Sequence, residues 1–122
     1  MTVSEIINKY NALKNDADRE ALIIDRIVRQ YVSIQNKKDI CEQIIKHSIT
    51  GNNIDMISKY VMYFLALIYS HTDIDIDYTG NNIYSDYDRL RECGVLQHIL
   101  SMLAEDEISE FNIIMDSLCD IA

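Results

Sequence analysis

Residues Ile54 to Ser70 read IDMISKYVMYFLALIYS, and this stretch decides the fold. Ile54, Ile57, Val61, Phe64, Leu65 and Ile68 recur at helical spacing and form one apolar face. Met62, Ala66 and Leu67 make the opposite face apolar as well. A helix that is hydrophobic nearly all round needs other elements around it, so this one is expected at the centre of the fold. Its uninterrupted apolar core, Tyr60 to Tyr69, is ten residues long. Such a segment rises about 15 Å as a helix, roughly half the hydrocarbon thickness of a bilayer. The expectation is a buried helix and no membrane partner.

Outward from this helix the chain reads as further helices. Thr2-x-x-Glu5 has the form of a capping box, followed by Ile6, Ile7, Tyr10 and Leu13 on one face. Asn15 or Asp16 restarts the chain, and Leu22, Ile23, Ile27 and Tyr31 carry a helical pattern to about Val32. Ser33 is placed to cap a third helix with the stripe Ile40, Ile44, Ile45 and Ile49, ended by Gly51. Downstream, Ser85-x-x-Asp88 suggests the start of a short helix to Cys93, stopped by Gly94. Val95, Leu96, Ile99, Leu100 and Leu103 form the next stripe. A last helix begins near Asp106, with Glu105, Asp106, Glu107 and Glu110 at the end where the helix dipole favours anions. Its buried face is Ile108, Phe111, Ile114, Met115 and Leu118. With no proline and three glycines in 122 residues, long helices meet few breakers. No linker or repeat divides the chain. The predicted fold is all-α: one domain over residues 1–122, with six or seven helices around the central one.

Asp73-Ile74-Asp75-Ile76-Asp77-Tyr78 departs from this pattern. It alternates with period two and runs into the turn residues Thr79-Gly80-Asn81-Asn82, as an extended loop or short edge strand would. Its three alternate carboxylates invite comparison with a calcium loop. The sixth position, which needs glycine, is Tyr78, and the twelfth, which needs a bidentate Glu, is Tyr84. The segment therefore reads as an acidic ridge with Ile74, Ile76 and Tyr78 turned inward, and no metal or other cofactor is expected. His47, His71 and His98 lie singly on separate segments and read as surface or boundary residues. Cys41, Cys93 and Cys119 form no C-x-x-C pair and read as reduced thiols. No phosphate-binding glycine loop and no nucleophile elbow is present, so no catalytic residue is assigned and a non-enzyme is expected.

The net charge of −9 is unevenly distributed. Residues 1–72 hold nine Lys/Arg and eight Asp/Glu; residues 73–122 hold two Lys/Arg and twelve Asp/Glu. Such acidity opposes direct nucleic-acid binding and suits either simple solubility or a basic protein partner. Tyr78, Tyr84 and Tyr87 cluster with the acidic segment, and tyrosine is enriched at interface centres. Packing of these rings onto the helices would explain them equally well. The candidate contact residues are Asp73, Asp75, Asp77, Tyr78, Tyr84, Asp86, Tyr87 and Asp88.

LIYSHTDIDIDY, YDRLRECGVLQHIL and EISEFNIIMDSL follow one another in the C-terminal half. In that order they resemble small phage- and prophage-encoded proteins of Firmicutes, which share a Tyr-x-x-Thr-Asp phrase, a Tyr-Asp-x-Leu helix and a Glu-x-x-Glu-Phe helix. The resemblance implies a non-enzymatic protein that binds other proteins in tail or head assembly. It places the chain in the cytoplasm of a bacterial host, or with the virion. The alternative is an acidic inhibitor of a host defence nuclease, mimicking nucleic acid. Self-association stays open, because a twin subunit could cover the central helix.

Overall fold

The structure is a computed structural model that describes residues 1–121. Seven helices follow in order: α1 (Val3–Ala12), α2 (Asp16–Arg26), α3 (Ile34–Ser48), α4 (Met56–His71), α5 (Ile83–Cys93), α6 (Val95–Met102) and α7 (Glu105–Ile121). A minimal antiparallel hairpin, β1 (Ile49–Thr50) and β2 (Asn53–Ile54), joins α3 to α4. The fold is all-α, as the periodicity predicts.

Helix α4 packs against α3, α5 and α6, while α7 lies along α3, α1 on α5 and α2 on α6. The second half of α4 is enclosed: Leu65, Leu67 and Ile68 are inaccessible to solvent. Its first turns are not. Ile57, expected on the buried face, is 70% exposed, and Met56, Tyr60 and, further along, Tyr69 are also open. The core draws on every helix, from Ile6 on α1 and Ile23 on α2 to Phe111 and Met115 on α7.

Capping residues fix most helix starts. Thr2, Asn15 and Ser33 accept the amide N–H of Glu5, Asp18 and Asn36. Asp55 accepts from both Ile57 and Ser58 at 3.1 Å. The Ser58 backbone and side-chain bonds hold its carboxyl below the usual carboxylate range. The expected cap at Ser85 is not used. Helix α5 begins at Ile83, two residues earlier, because Ile83 is itself buried in the core.

Two other boundaries differ from the sequence pattern. Helix α2 stops at Arg26 rather than near Val32. The amides of Val28 and Arg29 turn to the His71 carbonyl at 3.0 and 3.1 Å, and Asp73 N–H donates to the Arg26 carbonyl at 3.0 Å. Tertiary hydrogen bonds thus replace the helical ones, and Tyr31 is left exposed. Helix α3 ends at Ser48, and Gly51, with φ of +62°, serves the hairpin turn instead of capping the helix. Ile49 consequently lies exposed in β1.

Gly94, with φ of +96°, is the junction between α5 and α6. A side chain there would strain the left-handed backbone without gaining contacts, since the nearest atom is the Tyr10 hydroxyl oxygen at 3.8 Å from an added Cβ. Gly94→Ala is therefore expected to lower unfolding free energy by about 1–2 kcal/mol, measured as a reduced urea midpoint at unchanged slope.

Candidate functional site

The structure divides the acidic segment into two parts with different surroundings. Alternation holds through the first part: Asp73, Asp75 and Asp77 are exposed, Ile74 and Ile76 are buried, and Tyr78 is half-buried against Tyr69 at 5.1 Å between ring centroids. Asp73 faces Arg26 at 3.3 Å, and the Met1 ammonium donates to the Asp73 carbonyl at 3.0 Å. Asp75 lies 3.7 Å from the same ammonium, and its N–H donates to the Met1 carbonyl at 2.7 Å. Asp77 closes the following turn, accepting from Thr79 N–H. Two of these three carboxylates thus already face cations of the same chain. Among the described residues, no group of three His, Cys, Asp or Glu side chains is placed to hold a metal ion.

The second part joins a different surface. The Tyr84 hydroxyl lies 2.6 Å from Ser58 Oγ on α4, which brings the exposed start of α5 beside the exposed start of α4. Met56, Ile57, Tyr60 and Tyr84 are all about half or more exposed there. Behind them, Tyr60 packs edge-on to Phe64 at 4.8 Å and to Tyr87 at 6.0 Å. The Tyr87 hydroxyl donates to that of Tyr60 at 3.5 Å and accepts from Arg91 Nη1 at 3.0 Å. The hydrogen bond to Tyr87 pushes the Tyr60 phenol above its ordinary pKa. A groove of ≈ 470 Å³ lined by Tyr87, Asp88, Arg91 and Glu92 continues the face along α5. Tyr87 is buried and supports this surface from below. Asp88 is exposed beside it, whereas Asp86 is half-buried, and burial pushes its carboxyl up.

A third cluster was not legible in the sequence. Lys37 on α3, His71 on α4 and Glu107 on α7 meet in the interior, with exposures of 0%, 0% and 4%. Lys37 Nζ donates to Glu107 Oε1 at 2.5 Å and to Glu110 Oε1 at 2.7 Å. Glu107 Oε2 lies 2.6 Å from His71 Nε2 and accepts the Val32 N–H at 3.2 Å. The Tyr31 ring covers the ammonium at 4.2 Å, and the Phe111 ring lies 5.6 Å from it. Burial alone would push the Glu107 carboxyl up; the bonds from Lys37, His71 and Val32 outweigh it and hold the carboxyl below its usual range. Burial likewise opposes the Lys37 ammonium, and the two glutamates reverse that effect and raise it. His71 is thus no boundary residue. The sequence pattern ends the central helix at Ser70, just before His71, and nothing local in the sequence names a partner 36 residues away.

The fold and these surfaces define a class, a seven-helix all-α domain with an exposed aromatic face and a buried ionic cluster. No protein-family profile matches the chain, and comparisons with curated proteins and with solved structures give no significant match. No helix among the described residues is long and apolar enough to cross a membrane.

Proposed function

We propose that this chain is a non-enzymatic binding protein whose partner docks on the face formed by the first turns of α4 and the length of α5. The observation that carries the reading is the exposure of Met56, Ile57, Tyr60 and Tyr84 on the first turns of α4 and α5, two helix starts that the Tyr84–Ser58 hydrogen bond and the Tyr60–Phe64–Tyr87 ring contacts bring together. Aromatic and methionine side chains supply interface cores with large contact area at low entropic cost. Asp88 and Glu92 border the groove beside them, with Arg91 turned to the Tyr87 hydroxyl, so a partner with apolar residues flanked by Lys or Arg fits. The phage-like order of motifs in the C-terminal half supports virion head or tail assembly as the setting.

The acidic half supports a second reading, an inhibitor that imitates nucleic acid on a basic channel. Several of its carboxylates are engaged inside the molecule: Glu107 and Glu110 with Lys37, and Asp73 with Arg26. That leaves a less continuous array of charge than the net count implies.

The two readings separate by experiment. Co-purification with head and tail proteins, read with Ile57→Glu and Tyr60→Ala, is expected to lose binding by at least 2 kcal/mol, about 30-fold in Kd, with little salt dependence. A mimic would instead lose affinity steeply with salt and on Asp73→Asn with Asp75→Asn. Binding unaffected by Ile57→Glu would overturn the first reading.

A further inference from the structure

The acceptors around His71 dictate where its protons sit. Nδ1 lies 2.8 Å from the Leu67 carbonyl oxygen, an atom that can only accept. Ser70 Oγ, 3.1 Å from Nδ1, has its own acceptor in the same carbonyl at 3.3 Å. On the other side of the ring, Nε2 lies 2.6 Å from Glu107 Oε2. Glu107 also receives the Lys37 ammonium and the Val32 N–H, an environment that suits an ionised carboxylate. Both ring nitrogens therefore face acceptors.

We infer that His71 is a buried imidazolium whose second ring proton fastens the segment Ile27–Val32 to α4 and α7. The cluster then balances two cations, Lys37 and His71, against two carboxylates, Glu107 and Glu110. His71 and Glu107 between them hold the segment at both ends. The His71 carbonyl accepts from Val28 and Arg29, and Glu107 Oε2 accepts from Val32. The charged and titratable groups around the ring come from every neighbouring element: Lys37 from α3, Glu107 and Glu110 from α7, and Arg29, whose Nη1 donates to the Ser70 carbonyl at 2.7 Å. The Phe111 ring, 6.0 Å away, keeps the remaining side apolar.

Loss of the Nε2 proton would set a lone pair against a carboxylate oxygen and leave the buried cluster one negative charge in excess. In a low-dielectric interior that arrangement is costly. The segment is the piece that can yield, since Val28, Arg29, Gln30 and Tyr31 are exposed. The device is a latch that rising pH releases, uncovering Val32, which is buried while its N–H is held by Glu107.

Nitrogen-15 NMR of the full chain reads both halves of the inference. At neutral pH both His71 ring nitrogens are expected to carry protons. As pH rises, the Val28, Arg29 and Val32 amide resonances are expected to move with the midpoint of the His71 ring. Glu107→Gln is expected to leave Nδ1 protonated and strip Nε2 at neutral pH. An unprotonated ring nitrogen in the unaltered protein at neutral pH would overturn the inference. So would amides that stay fixed while the ring titrates. If Glu107→Gln does not fold, the two readings on the unaltered chain still decide.

Discussion

Glu107→Ala is expected to destabilise the fold by about 3–5 kcal/mol. The substitution removes the one group that touches Lys37, His71 and the Val32 amide together. Lys37 would keep only Glu110, whose side chain is 40% exposed and screened accordingly. His71 would be left with no partner at Nε2, inside a site with no solvent access. The large cost thus comes from buried polar groups without acceptors, more than from the net worth of the ion pairs. Glu110→Ala, by contrast, is expected to cost no more than about 1 kcal/mol. Urea denaturation of the three proteins measures the ranking. The pH dependence has a determined sign. Because folding lowers the Glu107 carboxyl, its contribution is present above the unfolded carboxylate range and fades as pH falls through the folded value. Because folding raises Lys37, its contribution is complete below the ordinary lysine value and fades only as pH rises through the raised one. Glu107→Gln is expected to flatten the acid limb of the stability curve.

Phe111→Ala is expected to cost about 3–5 kcal/mol. The ring is 2% exposed and stands between α7 and two buried cations: 5.6 Å from Lys37 Nζ and 6.0 Å between ring centroids from His71. Truncation opens a cavity beside the ionic cluster. Water entering that cavity would weaken the same hydrogen bonds that Glu107→Ala removes. The double variant Phe111→Ala with Glu107→Ala is therefore expected to lose less than the sum of its parts, as contacting residues in a shared network do. Calorimetric melting of the single and double variants checks the cycle.

How much of this was legible in the sequence depends on whether the signal was local. Period and caps are local, so Thr2, Asn15, Ser33 and Gly94 marked helix ends that the structure retains. The alternation of Asp73 to Asp77 is local as well, and its buried isoleucines lie where the pattern placed them. The end of α2 was not legible, because Ile23, Ile27 and Tyr31 keep helical spacing while the amides of Val28 and Arg29 are claimed by His71, more than forty residues on. The ionic cluster was hidden for a related reason. Lys37 belongs to no local pattern in the sequence, and Glu107 reads as a first-turn anion that suits the helix dipole. Only the packing of α3 on α7 reveals that they are partners across the core. The contact residues show the same limit. Tyr84 and Asp88 belong to the exposed face, but Met56, Ile57 and Tyr60 were read as parts of a fully enclosed helix. Their exposure is a fact of tertiary packing.

Site-specific photo-crosslinking tests most directly whether a protein partner docks on the proposed α4–α5 face. A benzophenone side chain at Ile57, 70% exposed, is compared with one at Asp75, whose side chain is 85% exposed on the other part of the acidic segment. In phage-infected cells the Ile57 probe is expected to trap a discrete virion structural protein, which the Asp75 probe does not. Trapping of that protein from Asp75 alone, or equally from both positions, would contradict the account.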